Sequence, residues 1–217
     1  MAFLDRRDAG RRLGGLLARS LGEDDERPVV MGMARGGVPV AFEVAGMLGA
    51  PLDVLVVRKL GYPRQPELGL GAIAEGGVRI LNSALVRQLQ VPPDVIEAVA
   101  TQQTTELERR LAAYRGGRPP VPVEGRTVIV VDDGLATGFT ARAAIEVMRR
   151  RSAARVVLGI PVAPPDAVHA LREVADEVVC VETTERFFGL SEWYEDFEQV
   201  SDDEVAHLLA AAGTGAP

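Results

Sequence analysis

Short runs of unbroken apolar residues alternate along the chain with longer stretches in which apolar positions recur every three or four residues. That is the pattern of buried strands separated by amphipathic helices. "DRRDAGRRLGGLLARS" (5–20) predicts an amphipathic helix weakened by its glycines, and "ERPVVMGM" a short buried strand that "ARGG" (34–37) interrupts. "VPVAFEVAGMLG" predicts a helix stopped by Gly49, and "PLDVLVVRKL" a second strand running through Arg58 and Lys59. The proline- and glycine-rich segment "GYPRQPELGLGAIAEGG" (61–77) reads as a loop, part of it able to form a β-hairpin leading into "VRILN". "PPDVIEAVATQQTTELERRLAAYR" predicts a long helix opened by a proline pair, and "GGRPPVPVEG" a linker. The strand "VIVV" (128–131), the helix "TARAAIEVMRRR", the strand "ARVVLGIPV", the helix "PPDAVHALREVA" and the strand "DEVVCVE" follow. An irregular aromatic tail and a capped helix, "SDDEVAHLLAAA", close the chain. This order predicts an α/β fold with a doubly wound, mainly parallel sheet.

The 217 residues fit one domain with a small appendage. A hydrophobic share of 47% and a charged share of 25% are those of an ordinary globular protein. The net charge of −7 argues against general binding to nucleic acid or to a membrane surface, because both are polyanionic. The single cysteine, Cys180, lies in an apolar run and reads as core filler. With no internal disulfide available and no leader or long apolar stretch in the sequence, a cytoplasmic location is expected. His169 and His207 fall in helical segments without metal-ligand company and read as surface residues.

The candidate chemistry lies in "VIVVDDGLATGFT" (128–140). In an open parallel sheet, ligands bind beyond the carboxyl ends of the strands, where Asp132 and the loop after it fall. Small residues (Gly134, Ala136, Gly138), two hydroxyls (Thr137, Thr140) and backbone amides leading into a helix N-terminus suit a phosphate. The loop lacks the lysine of a P-loop, and the acidic pair does not belong to the dinucleotide fingerprint. Because Asp132 and Asp133 would repel a phosphate placed on them, they must address another part of the ligand. Two vicinal hydroxyls fit, so a ribose 5-phosphate unit is inferred. The alternative is a strand-ending turn in which Asp133 merely caps the next helix.

The same thirteen residues resemble the phosphoribosyl-pyrophosphate (PRPP) binding motif of the type I phosphoribosyltransferases. The resemblance covers about residues 25 to 182, and the "RGG" and "WY" signatures resemble an uncharacterised bacterial branch of that family. It implies a core at 1–182 with a mobile flap at 58–77, and a C-terminal hood at 183–217. It implies PRPP contacts along Asp132, Asp133, Gly134, Leu135, Ala136, Thr137, Gly138, Phe139 and Thr140. Arg35, Gly36 and Gly37 would form the pyrophosphate loop, which in the family often carries a non-proline cis peptide. Arg58 and Lys59 would neutralise the leaving group, and Mg²⁺ would be reached through Asp132 or Asp133, by way of water. The implied reaction is displacement of pyrophosphate from PRPP by a nitrogenous base, with a homodimer left open. Where the hypoxanthine-guanine members have an aspartate this chain has Ala136, which makes a 6-oxopurine acceptor a poorer match. Phe187, Phe188, Trp193 and Tyr194 are the hood candidates, with Phe197 nearby; they would either stack on a base or pin the tail to the core. Glu192, Glu195 and Asp196 would select an N–H-rich acceptor or form a solvated face. Two further readings are a PRPP- or nucleotide-sensing regulator on the same fold and a phosphoribosyl hydrolase.

Overall fold

A computed structural model describes residues 2–22, 28–136 and 138–213. In chain order the elements are α1 (Arg6–Ser20), β1 (Val29–Met33), α2 (Gly37–Leu48), β2 (Leu52–Leu55), β3 (Val57–Tyr62), β4 (Gln65–Ala74), β5 (Val78–Leu81), α3 (Ser83–Gln88), α4 (Pro93–Arg115), β6 (Thr127–Val131), α5 (Phe139–Arg150), β7 (Arg155–Ala163), α6 (Pro165–Arg172), β8 (Glu177–Thr183) and α7 (Asp202–Gly213). Five strands form one all-parallel sheet in the order β2-β1-β6-β7-β8. The central strands are buried on both faces, and successive residues feed opposite cores. Val128 and Val130 pack with Ala144, Ile145 and Met148 of α5, while Ile129 and Val131 pack with α1, α2 and α7 through Leu13, Val44 and Leu208. This is the doubly wound α/β architecture that the sequence pattern predicts.

From β1 the chain moves outward to β2; it returns at β6 on the other side of β1 and proceeds the other way. The carboxyl ends of β1 and β6 therefore flank the point at which strand order reverses, where the loops on either side diverge and leave a crevice. "ARGG" follows β1 and "DDGLATG" follows β6, so the topology alone brings two loops about a hundred residues apart in sequence into contact.

One predicted element divides. The apolar run expected as a single second strand breaks at Val56 into β2 of the parallel sheet and β3 of a separate antiparallel sheet ordered β3-β4-β5. Arg58 and Lys59 thus do not end a strand of the main sheet; they lie on β3. The segment expected as a loop is mostly the ten-residue β4, forming the anticipated hairpin with β3 and then pairing with β5. Its glycines masked the strand, since glycine is depleted in strands, yet a Cβ at Gly71 would overlap the Ile80 carbonyl of the neighbouring strand. Leu60, Leu70 and Ile73 of this sheet pack on Ile96 and Ala100 of α4 in a core of their own. The short α3 is a further element that the hydrophobic pattern does not reveal.

A buried ionic network fastens the small sheet to the large one. Asp53 of β2 accepts two bonds from Arg115 at the end of α4, both at 3.1 Å, and two backbone N–H bonds, from Val54 and Val121. Arg115 also donates to Glu75 at 3.0 Å, and Arg151 donates to the other Glu75 oxygen at 2.8 Å. Among the described residues no helix is long and apolar enough to cross a membrane. Replacing Arg115 with Met would leave the buried Asp53 carboxylate without its cation, while Glu75 keeps Arg151. Arg115→Met is expected to lower unfolding free energy by about 3–5 kcal/mol, measured by urea denaturation, whereas Arg109→Met, on an exposed face of the same helix, should leave it almost unchanged.

Candidate active site

The two divergent loops meet backbone against carboxylate. A Cβ on Gly36 would overlap the Asp133 carboxylate, and one on Gly37 would collide with the Val131 carbonyl and the Asp132 backbone. Only glycine lets the first loop lie flat on the acidic pair. The Ala34–Arg35 peptide is cis, as the resemblance anticipates. Asp133 is 8% exposed and does not cap the following helix: the N-cap of α5 is Gly138, with no side-chain cap bond. Asp133 is thus not a helix cap, and its side chain pairs with Arg6 instead.

Three polar atoms of Asp133 have partners. Oδ2 accepts from Arg6 Nε at 2.9 Å, the backbone N–H donates to Asp132 Oδ1 at 3.0 Å, and the carbonyl accepts from the Tyr194 hydroxyl at 2.5 Å. Burial, followed by the adjacent charge of Asp133, raises the Asp132 carboxyl well above the usual carboxylate range. Burial and then Asp133 likewise hold the Tyr194 hydroxyl above the phenol range, so it stays a donor. The charge on Asp132, disfavoured by burial and by its neighbour, is one that a cation or hydroxyl donors would relieve. Among the described residues no cluster of three or more His, Cys, Asp and Glu is placed to enclose a metal ion. The two carboxylates still match Mg²⁺, which uses one or two carboxylates and completes its shell with water and substrate oxygens.

The remaining predicted site residues divide between the loop and more distant partners. Ala136 is exposed and Phe139 is 39% exposed at the start of α5, while Thr140 is half-buried; Thr137 lies outside the described residues. Leu135 is a correction: its side chain belongs to the core and its N–H donates to the Val162 carbonyl at 3.0 Å, so that amide is already engaged. Gly134 is buried, at φ 156°, and a Cβ there would overlap Leu190 of the tail, so the tail lies directly on the loop. Arg35 pairs with Asp202 of α7 at 3.6 Å, and Asp202 also accepts from Tyr114. Arg58 donates to Gln103 at 2.9 Å, and Lys59 donates to the Glu67 carbonyl. Burial and the nearby Arg110 lower the Arg58 pKa. Both cations line a cavity of about 560 Å³ with Tyr62, Pro63 and Gln102.

Of the aromatic candidates, Tyr194 is 1% exposed, packed on Phe3 at 5.3 Å and on Phe197 at 5.0 Å between ring centres. It pins the tail to the core and has no free face for a base. Phe187 and Trp193 pack against the same cluster, and the Trp193 carbonyl accepts from the N–H groups of Ala2 and Phe3. Phe188, 83% exposed, is the one hood aromatic open to solvent among the described residues. His169 and His207 are exposed, and burial pushes the half-buried Cys180 thiol up to about 11, as expected of inert residues.

Arg6 escapes sequence reasoning because its partner is 127 residues away. One weak signal exists: cations in the first turn of α1 oppose the helix dipole, so Arg6 needs a compensating partner elsewhere.

The sequence profile of the phosphoribosyl transferase domain family matches residues 67–196. A Mycobacterium tuberculosis (strain H37Rv) protein, named provisionally as a phosphoribosyl transferase, is 51% identical over 97% of this chain. The chain spans about half of that relative's length, 47%. The uracil phosphoribosyltransferase of Oceanobacillus iheyensis is 30% identical over 59% of this chain and 56% of its own. The crystal structure of TT1426 from Thermus thermophilus superposes with a TM-score of 0.82 and 42% identity, over 97% of this chain and 99% of that one.

Gly36→Ala should displace the Asp133 carboxylate and break its pair with Arg6. A loss of about 1–3 kcal/mol in unfolding free energy is expected from the overpacking, and a crystal structure of the variant should show the carboxylate rotated away.

Proposed function

The chain belongs to the phosphoribosyl transferase family, and from that premise we propose that it binds PRPP with Mg²⁺ and transfers the 5-phosphoribosyl group to a nitrogenous base, releasing pyrophosphate. One observation carries this reading: the Gly36–Gly37 backbone lies against Asp132 and Asp133 at the reversal point of the sheet. An acidic pair and a glycine-flattened loop on opposite sides of one crevice match a ligand with neighbouring hydroxyls on one side and a polyanion on the other.

In this reading Asp132 and Asp133 accept from the 2′- and 3′-hydroxyls through charge-assisted hydrogen bonds. The 5′-phosphate lies along Gly134–Thr140, excluding the engaged Leu135 amide, and the pyrophosphate lies along Arg35–Gly37. Mg²⁺, when bound through the carboxylates and water, would supply charge neutralisation for the pyrophosphate oxygens. The C1–O bond to pyrophosphate breaks as the bond from C1 to the base nitrogen forms, and the nitrogen's proton passes to solvent or to the leaving group. The intervening state resembles an oxocarbenium ion, so positioning and charge stabilisation dominate.

Arg58 and Lys59 sit on the β3–β4 hairpin, so their approach to the leaving group depends on closure of that hairpin over the site. Closure would also keep water from the cation. Phe188, the exposed aromatic of the tail, is the side chain we assign to stacking on the acceptor, and the exposed Ala136 offers the base no carboxylate. Uracil belongs among the acceptors to be tried, given the O. iheyensis relative.

The decisive measurement is pyrophosphate release from PRPP and Mg²⁺ with a panel of purines and pyrimidines. Release that depends on the base is the expected result. Release without any base would mean hydrolysis, and tight binding without turnover would mean a sensor. Asp133→Asn is expected to weaken PRPP binding by about 1.5–3 kcal/mol, the worth of a charge-assisted hydrogen bond; unchanged affinity by calorimetry would remove the ribose assignment.

A further inference from the structure

Arg6 is held more firmly than a helix-terminal arginine needs to be. Its Nε donates to Asp133, its Nη1 donates to the Glu198 carbonyl at 2.7 Å, and its guanidinium lies 3.9 Å from the centre of the Phe197 ring. The side chains of Arg6 and Asp133 are only 12% and 11% exposed. The two ends of the chain converge on this contact: Phe3 packs on Tyr194, the Trp193 carbonyl accepts from Phe3 N–H, and the Tyr194 hydroxyl donates to the Asp133 carbonyl.

We propose that Arg6 is a positioning residue for sugar binding: it fixes the Asp133 carboxylate through Oδ2 so that Oδ1 is left to accept from the ribose. The assignment rests on the phosphoribosyl-transfer reading above. A carboxylate with one free torsion could rotate its oxygens away from the crevice, and the bond at Oδ2 removes that freedom before the ligand arrives. The planar guanidinium suits this duty because it can stack on Phe197 and donate in two directions at once, whereas an ammonium cannot do both. Arg6 therefore need not touch the ligand to act on it, and neither does Phe197, which keeps the guanidinium in its plane.

The test is calorimetric titration of PRPP in the presence of Mg²⁺ into wild type, Arg6→Met, Arg6→Lys, Asp133→Asn and the double variant Arg6→Met/Asp133→Asn, with Tm recorded for each. Arg6→Met should bind about ten- to a hundredfold more weakly, and Arg6→Lys should recover part of the loss. In the Asp133→Asn background Arg6→Met should add little, because its route to the ligand is already cut. That loss of additivity is something a general weakening of the fold would not produce. Wild-type affinity in Arg6→Met, or an equal loss in both backgrounds, overturns the assignment of Arg6 alone. A wild-type protein that binds no PRPP with Mg²⁺ overturns the phosphoribosyl reading and this assignment with it. If Arg6→Met does not fold, Phe197→Leu replaces it: removal of the stacking surface should weaken binding several-fold, and unchanged affinity overturns the assignment.

Discussion

The close approach of the Gly36–Gly37 backbone to the carboxylates of Asp132 and Asp133 is the constraint on which the site is built. Two acids side by side at the end of a buried strand repel each other and lose their hydration, and burial already raises Asp132 above its ordinary range. Such a pair persists only where the surroundings compensate. Here the compensation comes from Arg6 on one oxygen, from the Asp133 N–H donated back to Asp132, and from a glycine loop that adds no side chain to the crowding.

The chain's two ends complete that compensation. α1 delivers Arg6, and the tail delivers Tyr194, Phe197 and the Glu198 carbonyl, so segments nearly two hundred residues apart grip the same aspartate. Aromatic residues in the tail are thereby divided by burial into two kinds. Tyr194 is an anchor whose hydroxyl holds the loop backbone, while Phe188 remains exposed. Leu190, resting on Gly134, extends the same seal across the loop.

The antiparallel β3-β4-β5 sheet stands apart in its packing, with its own apolar core against α4, yet it is fastened to the main sheet through Asp53, Arg115, Glu75 and Arg151. The hairpin is buried at its base and exposed at its tip: the β4 residues Gln65, Pro66 and Glu67 are exposed, while Ile73 and Ala74 are buried. Arg58 and Lys59 lie between these extremes, engaged with Gln103 and with the Glu67 carbonyl.

By itself the sequence determined the parallel α/β fold, because strands buried on both faces need unbroken apolar runs and the helices between them need three-to-four-residue periodicity. It also determined the acidic pair and the small-residue loop, since both are contiguous in "DDGLATGFT". The break at Val56 was not legible, because an apolar run does not reveal where the chain leaves one sheet for another. β4 was hidden because glycine, read locally, signals a turn. Only the tertiary structure decided which distant groups meet the pair: Gly36 across the reversal of strand order, Arg6 from 127 residues upstream and Tyr194 from the tail. Local patterning reports what a residue needs, burial or exposure, but the identity of its partner depends on chain topology, which no short stretch of sequence encodes.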